Sequence, residues 1–195
     1  MNLQLPNGEF DAFLFDCDGT LADTMPLHYR AWCAALEPYA VEFPEALFYE
    51  LGGIPTPRII EILNERHGHN IPVAEACARK EALFRELIPQ VRPIEPVVEL
   101  VERFHGQRPM AVVSGGAREI VTRTLAGLGL LDKFQVVVTA EDCRQGKPSP
   151  EPFLLAARRL GVAPARCLVF EDTTTGIAAA RAAGMAYVLV PPPRR

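Results

Sequence analysis

Five short runs in this chain are apolar almost from end to end: "FDAFLFD" (10–16), "PMAVVSG" (109–115), "FQVVVTA" (134–140), "RCLVFED" (166–172) and "AYVLVP" (186–191). A strand with one wet face alternates apolar and polar residues. Unbroken apolar interiors therefore indicate strands covered on both faces, which is the condition of a parallel sheet. Helical stretches separate the last four runs, at Arg118 to Leu128, Pro150 to Leu160 and Gly176 to Ala183. Strand–helix–strand repetition with right-handed crossovers predicts an α/β fold built on a doubly wound parallel sheet.

The first interval breaks that rhythm, because residues 17–108 are far more than a crossover requires. Its pattern is helical over 26–37, 44–51, 57–67 and 73–88, with Pro38, Gly52-Gly53, Gly68 and Pro72 as interruptions. This predicts a helical cap inserted over residues 22–90 and a core formed by 1–21 and 91–195. "PQVRPIEPV" carries three prolines and reads as a semi-rigid return linker. Trp32 reads as part of the cap's own core.

Composition narrows the class. An apolar content of 49 % supplies a sizeable core. With 20 basic against 24 acidic residues the formal charge is −4, and no basic footprint for nucleic acid appears. No apolar run approaches the ~20 residues that cross a bilayer. The start "MNLQLPNGEF" lacks the basic and apolar regions of a signal peptide. The five cysteines are odd in number and never spaced C-x-x-C, which argues for reduced thiols in a cytoplasm rather than disulfides or zinc. The expected assembly is a monomer or weak oligomer with no membrane partner.

In open parallel sheets, ligands bind at the carboxyl ends of the strands. At the first such end stand Asp16 and Asp18, whose i, i+2 spacing turns both carboxylates one way in an extended segment. Two anions so close call for a cation between them, and Mg2+ with oxygen ligands suits carboxylates. Gly19 allows the tight turn that follows. The second strand ends in "VVSGGAR", where Ser114 and Gly115-Gly116 precede a helix and form a seat for phosphate. After the third strand, "RQGKPSPEPF" holds Lys147 before Pro148, a cation able to neutralise phosphate or aspartate. The fourth ends in "VFEDTTTGI", with Glu171 and Asp172 as a second acidic pair. Each piece alone also fits a bland role: strand-to-turn junction, serine cap, solvated lysine or helix-capping acid. Their occurrence in order, each at a strand end, points to one site.

The order "DCDGT", Ser, "GKPSPEPF" and "FEDTTTGIAAARAAGM" resembles the haloacid dehalogenase superfamily of phosphohydrolases over essentially the whole chain. The helical cap after the first strand is similar to the β-phosphoglucomutase-like branch. "LGGIPTPRI" and "HGQRPMAV" further resemble its bacterial fructose-1-phosphate phosphatase members. The resemblance implies that Asp16 is the nucleophile and Asp18 the general acid and base. It implies Mg2+ held by Asp16, the Asp18 carbonyl and Asp172, with Glu171 assisting directly or through water. Ser114, Gly115, Lys147 and loop amides would hold the phosphoryl group, and a small phosphosugar would be the substrate. In the cap, Thr24 and His28 stand at the start of a helix, where the matching family position implies His28 near Asp18 when the cap closes, against the bland reading of a helix-face histidine. The loop "GGIPTPR" around Gly53 offers Arg58 as a nearby cation for substrate. Cys17 contributes backbone only.

A receiver domain shares the sheet, the phospho-accepting Asp, the hydroxyl, the Lys and an acidic pair, but there the pair precedes the acceptor and no cap intervenes. A haloacid dehalogenase needs neither Asp18 nor a metal. A phosphosugar mutase offers a Lys before the cap-loop Gly and an Arg three residues after it. Here Gly52 and Thr56 occupy those places around Gly53, and Arg58 lies two residues further on. The expected activity is therefore Mg2+-dependent hydrolysis of small sugar phosphates such as fructose 1-phosphate, with the mutase as the alternative.

Overall fold

A computed structural model describes residues 3–52 and 54–193. In chain order the elements are β1 (Ala12–Phe15), α1 (Met25–Leu36), α2 (Glu45–Glu50), α3 (Thr56–His67), α4 (Val73–Leu87), α5 (Glu95–Phe104), β2 (Met110–Val113), α6 (Arg118–Gly127), β3 (Val136–Val138), α7 (Glu151–Leu160), β4 (Cys167–Glu171), α8 (Thr174–Ala182) and β5 (Ala186–Leu189). The strands form one five-stranded sheet in the order β3-β2-β1-β4-β5. Every pair is parallel, with Phe13 opposite Met110 and Leu168, and Val113 opposite Val138. The sheet is the doubly wound α/β architecture predicted from the apolar runs, and its ladders are shorter than those runs.

Alternation along the strands divides the core into two layers. Phe13, Phe15, Val112 and Phe170 face Val97 and Val101 of α5 and Val121 and Leu125 of α6. Phe15 and Phe170 stack at 4.6 Å with an interplanar angle of 7°. On the other face, Leu14, Ala111, Val113 and Val169 meet Phe153, Ala156 and Ala157 of α7 and Ala179 and Ala180 of α8. Burying each large apolar side chain contributes about 1.5–3 kcal/mol, so the two layers fix the strand ends firmly.

Helix α5 corrects the expected linker. Glu95–Val97 begin the helix instead of extending the connection. Pro96 sits in the first turn, where no intrahelical N–H bond is required, and Val97 and Val101 are buried one turn apart. Helix α8 likewise starts two residues earlier than read, because the Thr173 hydroxyl caps it by accepting from Gly176 N at 3.0 Å.

The chain divides into two compact units: residues up to Asp23 together with those from Val91 onward, and Thr24–Gln90. Ala22 and Asp23 stay with the sheet unit because Ala22 bridges to Pro93 and Asp23 N donates to Arg92 O at 2.9 Å. The helical unit has its own core of Trp32, Leu36, Phe43, Phe48, Ile60 and Leu63, among others. No helix among the described residues is long and apolar enough to cross a membrane.

Candidate active site

The carboxyl end of β1 breaks into a tight turn built on one carbonyl. Cys17 O accepts from Leu21 N and Ala22 N at 3.0 Å each, and from Thr20 N at 3.4 Å. Gly19 has φ +86°, and a Cβ there would lie 2.2 Å from Asp172 Oδ2. Only glycine satisfies both conditions. Asp16 follows β1 directly, its N–H donating to Phe170 O at 3.0 Å, which ties it to the neighbouring strand. The Cys17 side chain points into the aromatic core layer, and burial pushes its thiol well above the usual range. It is thus held as an inert thiol.

Asp16, Glu171 and Asp172 each offer an oxygen, and these atoms lie within 4.8 Å of one another. Lys147 Nζ stands 2.6 Å from Asp16 Oδ1 and 2.6 Å from Glu171 Oε1. The other Glu171 oxygen accepts from Thr173 N at 2.7 Å and from Thr173 Oγ1 at 2.8 Å. Asp172 Oδ1 accepts from Thr20 Oγ1 at 3.1 Å. Asp16, Glu171 and Thr20 are buried.

One ammonium does not neutralise three carboxylates. Burial and the neighbouring Glu171, Asp172 and Asp18 push Asp16 well above the ordinary carboxylate range, although Lys147 opposes them. Burial and Glu171 push Asp172 up to about 7, against the Thr20 hydrogen bond. Burial disfavours charge on Lys147, but Asp16 and Glu171 outweigh it and hold the ammonium above the usual lysine range. Such a cluster lacks positive charge. Its hard oxygen donors fit a divalent cation such as Mg2+. The side chains that gather are those of Asp16, Glu171 and Asp172; Asp18 is not among the clustered oxygens.

Asp18 instead adjoins the turn after β2. A Cβ on Gly116 would lie 3.7 Å from Asp18 Oδ2 and 3.3 Å from Ser114 Oγ. Ser114 is buried, and its oxygen accepts from Gly116 N at 3.0 Å, leaving the O–H to donate. Gly115 has open space where a Cβ would stand. One end of the sheet thus carries an acidic cluster, a lysine, a second aspartate and a serine-glycine turn.

The remaining expected residues belong to the helical unit. Thr24 is buried and starts α1, its carbonyl accepting from Leu27 N and His28 N at 2.9 Å each. His28 stacks on Phe84 with centroids 3.7 Å apart and planes at 10°. Arg58, expected as a cation for substrate, spends its guanidinium on α3 itself, reaching Glu61 at 3.0 Å and Glu65 at 2.9 and 3.2 Å. Gly53 lies outside the described residues.

Several contributors escaped the sequence reading. Thr20 and Thr173 orient Asp172 and Glu171; their signals were a lone threonine two residues after Asp18 and the run Thr173 to Thr175 directly after Asp172. Gly176 is required because a Cβ there would overlap Glu171 Oε1 at 1.8 Å. Apart from that cluster, within the helical unit, Lys80 is only 5 % exposed, its ammonium 5.4 Å from the Phe84 ring centroid and 3.0 Å from Glu81. The spacing Ala76, Lys80, Phe84 puts that lysine on the buried face of α4, a pattern visible in the sequence.

A family model described as haloacid dehalogenase-like hydrolase matches residues 10–184. Fructose-1-phosphate phosphatase YqaB of Escherichia coli (strain K12) is 42% identical over 177 residues, covering 90% of this chain and 94% of that protein. Beta-phosphoglucomutase of Bacillus subtilis (strain 168) is 29% identical over 182 residues, covering 89% and 80%. Among solved structures, CbbY from Rhodobacter sphaeroides in complex with phosphate superposes with a TM-score of 0.84 at 25% identity, over 93% of this chain and 86% of that one. With its ordered motifs gathered at one end of a parallel sheet and a family match spanning nearly its whole length, the chain belongs to the haloacid dehalogenase-like hydrolases.

Proposed function

We propose that this enzyme is a Mg2+-dependent phosphatase that hydrolyses small sugar phosphates, fructose 1-phosphate foremost, through a phosphoryl group carried on Asp16. The observation that carries the reading is the buried Asp16 at the end of β1, fixed by Lys147 at 2.6 Å and sharing its site with Asp172 and Glu171. The substrate class is supported by the 42% identical relative named for fructose 1-phosphate.

Asp16 and Asp172, with the Asp18 carbonyl, would hold the cation, and Glu171 would support them. When bound, Mg2+ supplies the positive charge that allows these carboxylates to be ionised together beside an anionic substrate. The chain's own residues perform the transfer. The Asp16 carboxylate attacks phosphorus, and the bond from phosphorus to the sugar oxygen breaks as Asp18 delivers its proton to that oxygen. Asp18, now ionised, takes a proton from water as the water oxygen attacks phosphorus. The acyl–oxygen bond to phosphorus then breaks, returning Asp16 and inorganic phosphate. Throughout, Lys147, the Ser114 hydroxyl and the Gly115 amide face the phosphoryl oxygens and offset their charge.

A phosphate-release screen across phosphosugars, with and without Mg2+, tests the reading. Hydrolysis of fructose 1-phosphate that EDTA abolishes and Mg2+ restores is expected. Metal-independent turnover, or no phosphate release from any phosphosugar, would sink it.

A further inference from the structure

Lys147 must hold its ammonium at a fixed point between two carboxylates, yet it rides on a loop. Residues 143–150 join a 3-10 turn after β3 to α7. Consecutive amides of that loop are held by one side chain: Arg144 N donates to Glu151 Oε1 and Gln145 N to Glu151 Oε2, both at 3.0 Å. The loop closes on itself through Ser149 N to Gly146 O at 3.0 Å and Glu151 N to Ser149 Oγ at 3.3 Å. Helix α7 adds a second support, since the buried Phe153 ring lies 5.1 Å from Lys147 Nζ.

An acidic residue in the first turn of a helix is commonly explained by the helix dipole. The dipole does not require both oxygens to be aimed at two adjacent loop amides, as they are here. The Arg144 amide foremost, and that of Gln145, hold the Glu151 carboxyl below its usual range, so it acts at neutral pH purely as an acceptor.

We infer that Glu151 is the positioning residue for Lys147: its carboxylate, clamped on the Arg144 and Gln145 amides, sets the loop so that the ammonium bridges Asp16 and Glu171. The inference rests on the phosphatase reading for its effect on rate. Displacing a reacting group by about 1 Å lowers rates by about a hundredfold. Glutamine at 151 keeps one acceptor oxygen and turns an NH2 donor towards the other amide, so it opens the clamp with little change in volume.

The test compares Glu151→Gln, Glu151→Ala, Lys147→Ala and the Glu151→Ala/Lys147→Ala double variant on p-nitrophenyl phosphate at saturating Mg2+, together with a crystal structure of Glu151→Gln. The kcat of both Glu151 variants should fall about tenfold to a hundredfold, and the double variant should be no slower than Lys147→Ala alone. In the crystal, Lys147 Nζ should have left Asp16 and Glu171. Unchanged kcat in Glu151→Gln, multiplied losses in the double variant, or Lys147 still bridging both carboxylates would overturn the inference. A parent enzyme with no phosphatase activity overturns the phosphatase reading instead, and the crystal structure then decides the positioning claim by itself.

Discussion

Replacing Gly19 by alanine separates the two reasons for glycine at that position. Its φ of +86° costs an L-residue about 1–2 kcal/mol. The added methyl would also stand 2.2 Å from Asp172 Oδ2, far inside a contact distance of about 3.5 Å. The carboxylate must swing away and lose its 3.1 Å bond from Thr20 Oγ1. A hydrogen bond to a charged group is worth about 1.5–3 kcal/mol, which brings the total to about 3–5 kcal/mol. Gly161→Ala is the control, because its φ is +72° and an added methyl meets nothing within 4 Å. It carries the backbone cost alone. At about 2–4 °C per kcal/mol for a chain of this size, Gly19→Ala should melt roughly 6–20 °C below the parent and Gly161→Ala roughly 2–8 °C below. Thermal melts with and without Mg2+ add a second readout. Mg2+ at a hundred times its Kd stabilises the parent by about 2.7 kcal/mol, and that gain should shrink in Gly19→Ala, whose Asp172 has left the cluster, but persist in Gly161→Ala. Equal melting temperatures for the two variants, with the Mg2+ response of Gly19→Ala intact, would refute the reasoning.

Two further expectations concern acid stability and reaction outcome. Asp142 is pushed up by burial, yet Arg159, the Thr139 amide and hydroxyl, and Arg118 outweigh this and hold it at about 2, below the ordinary 3.8. Its folded pKa being depressed, its contribution, about 1 kcal/mol once solvent screening is taken into account, is complete above pH ~4 and lost as pH falls towards 2. The advantage of the parent over Asp142→Asn in urea denaturation should therefore be largest near neutrality and vanish near pH 2; an advantage independent of pH would contradict it. With Arg58 committed to Glu61 and Glu65, β-glucose 1-phosphate plus a bisphosphate primer should yield free phosphate faster than glucose 6-phosphate. Faster formation of glucose 6-phosphate would make the enzyme a mutase.

The sheet was legible because a strand covered on both faces must be apolar throughout, and runs such as Phe13 to Phe15 and Met110 to Val113 leave little else to read. Helix α5 was not, because Pro93 and Pro96 look like breaks until Pro96 is seen to occupy a first turn. Asp16, Asp18, Ser114, Lys147, Glu171 and Asp172 were legible through their order at strand ends. What locks them was not. Thr20 meets Asp172 across 152 residues of sequence, and Lys147 meets Asp16 across 131, pairings that only the closed sheet creates. The engagement of Arg58 lay nearer the surface of the sequence, since Glu61 stands at i+3 on the same helix.

The central claim is that Asp16 carries the phosphoryl group. Rapid acid quench of a stoichiometric reaction, followed by borohydride reduction and peptide mapping, addresses it directly, because reduction converts an aspartyl phosphate into homoserine. The expected result is homoserine at position 16 during turnover and none in Asp16→Asn, which should also release no phosphate. Steady phosphate release with residue 16 unmodified, or turnover by Asp16→Asn, would contradict the mechanism.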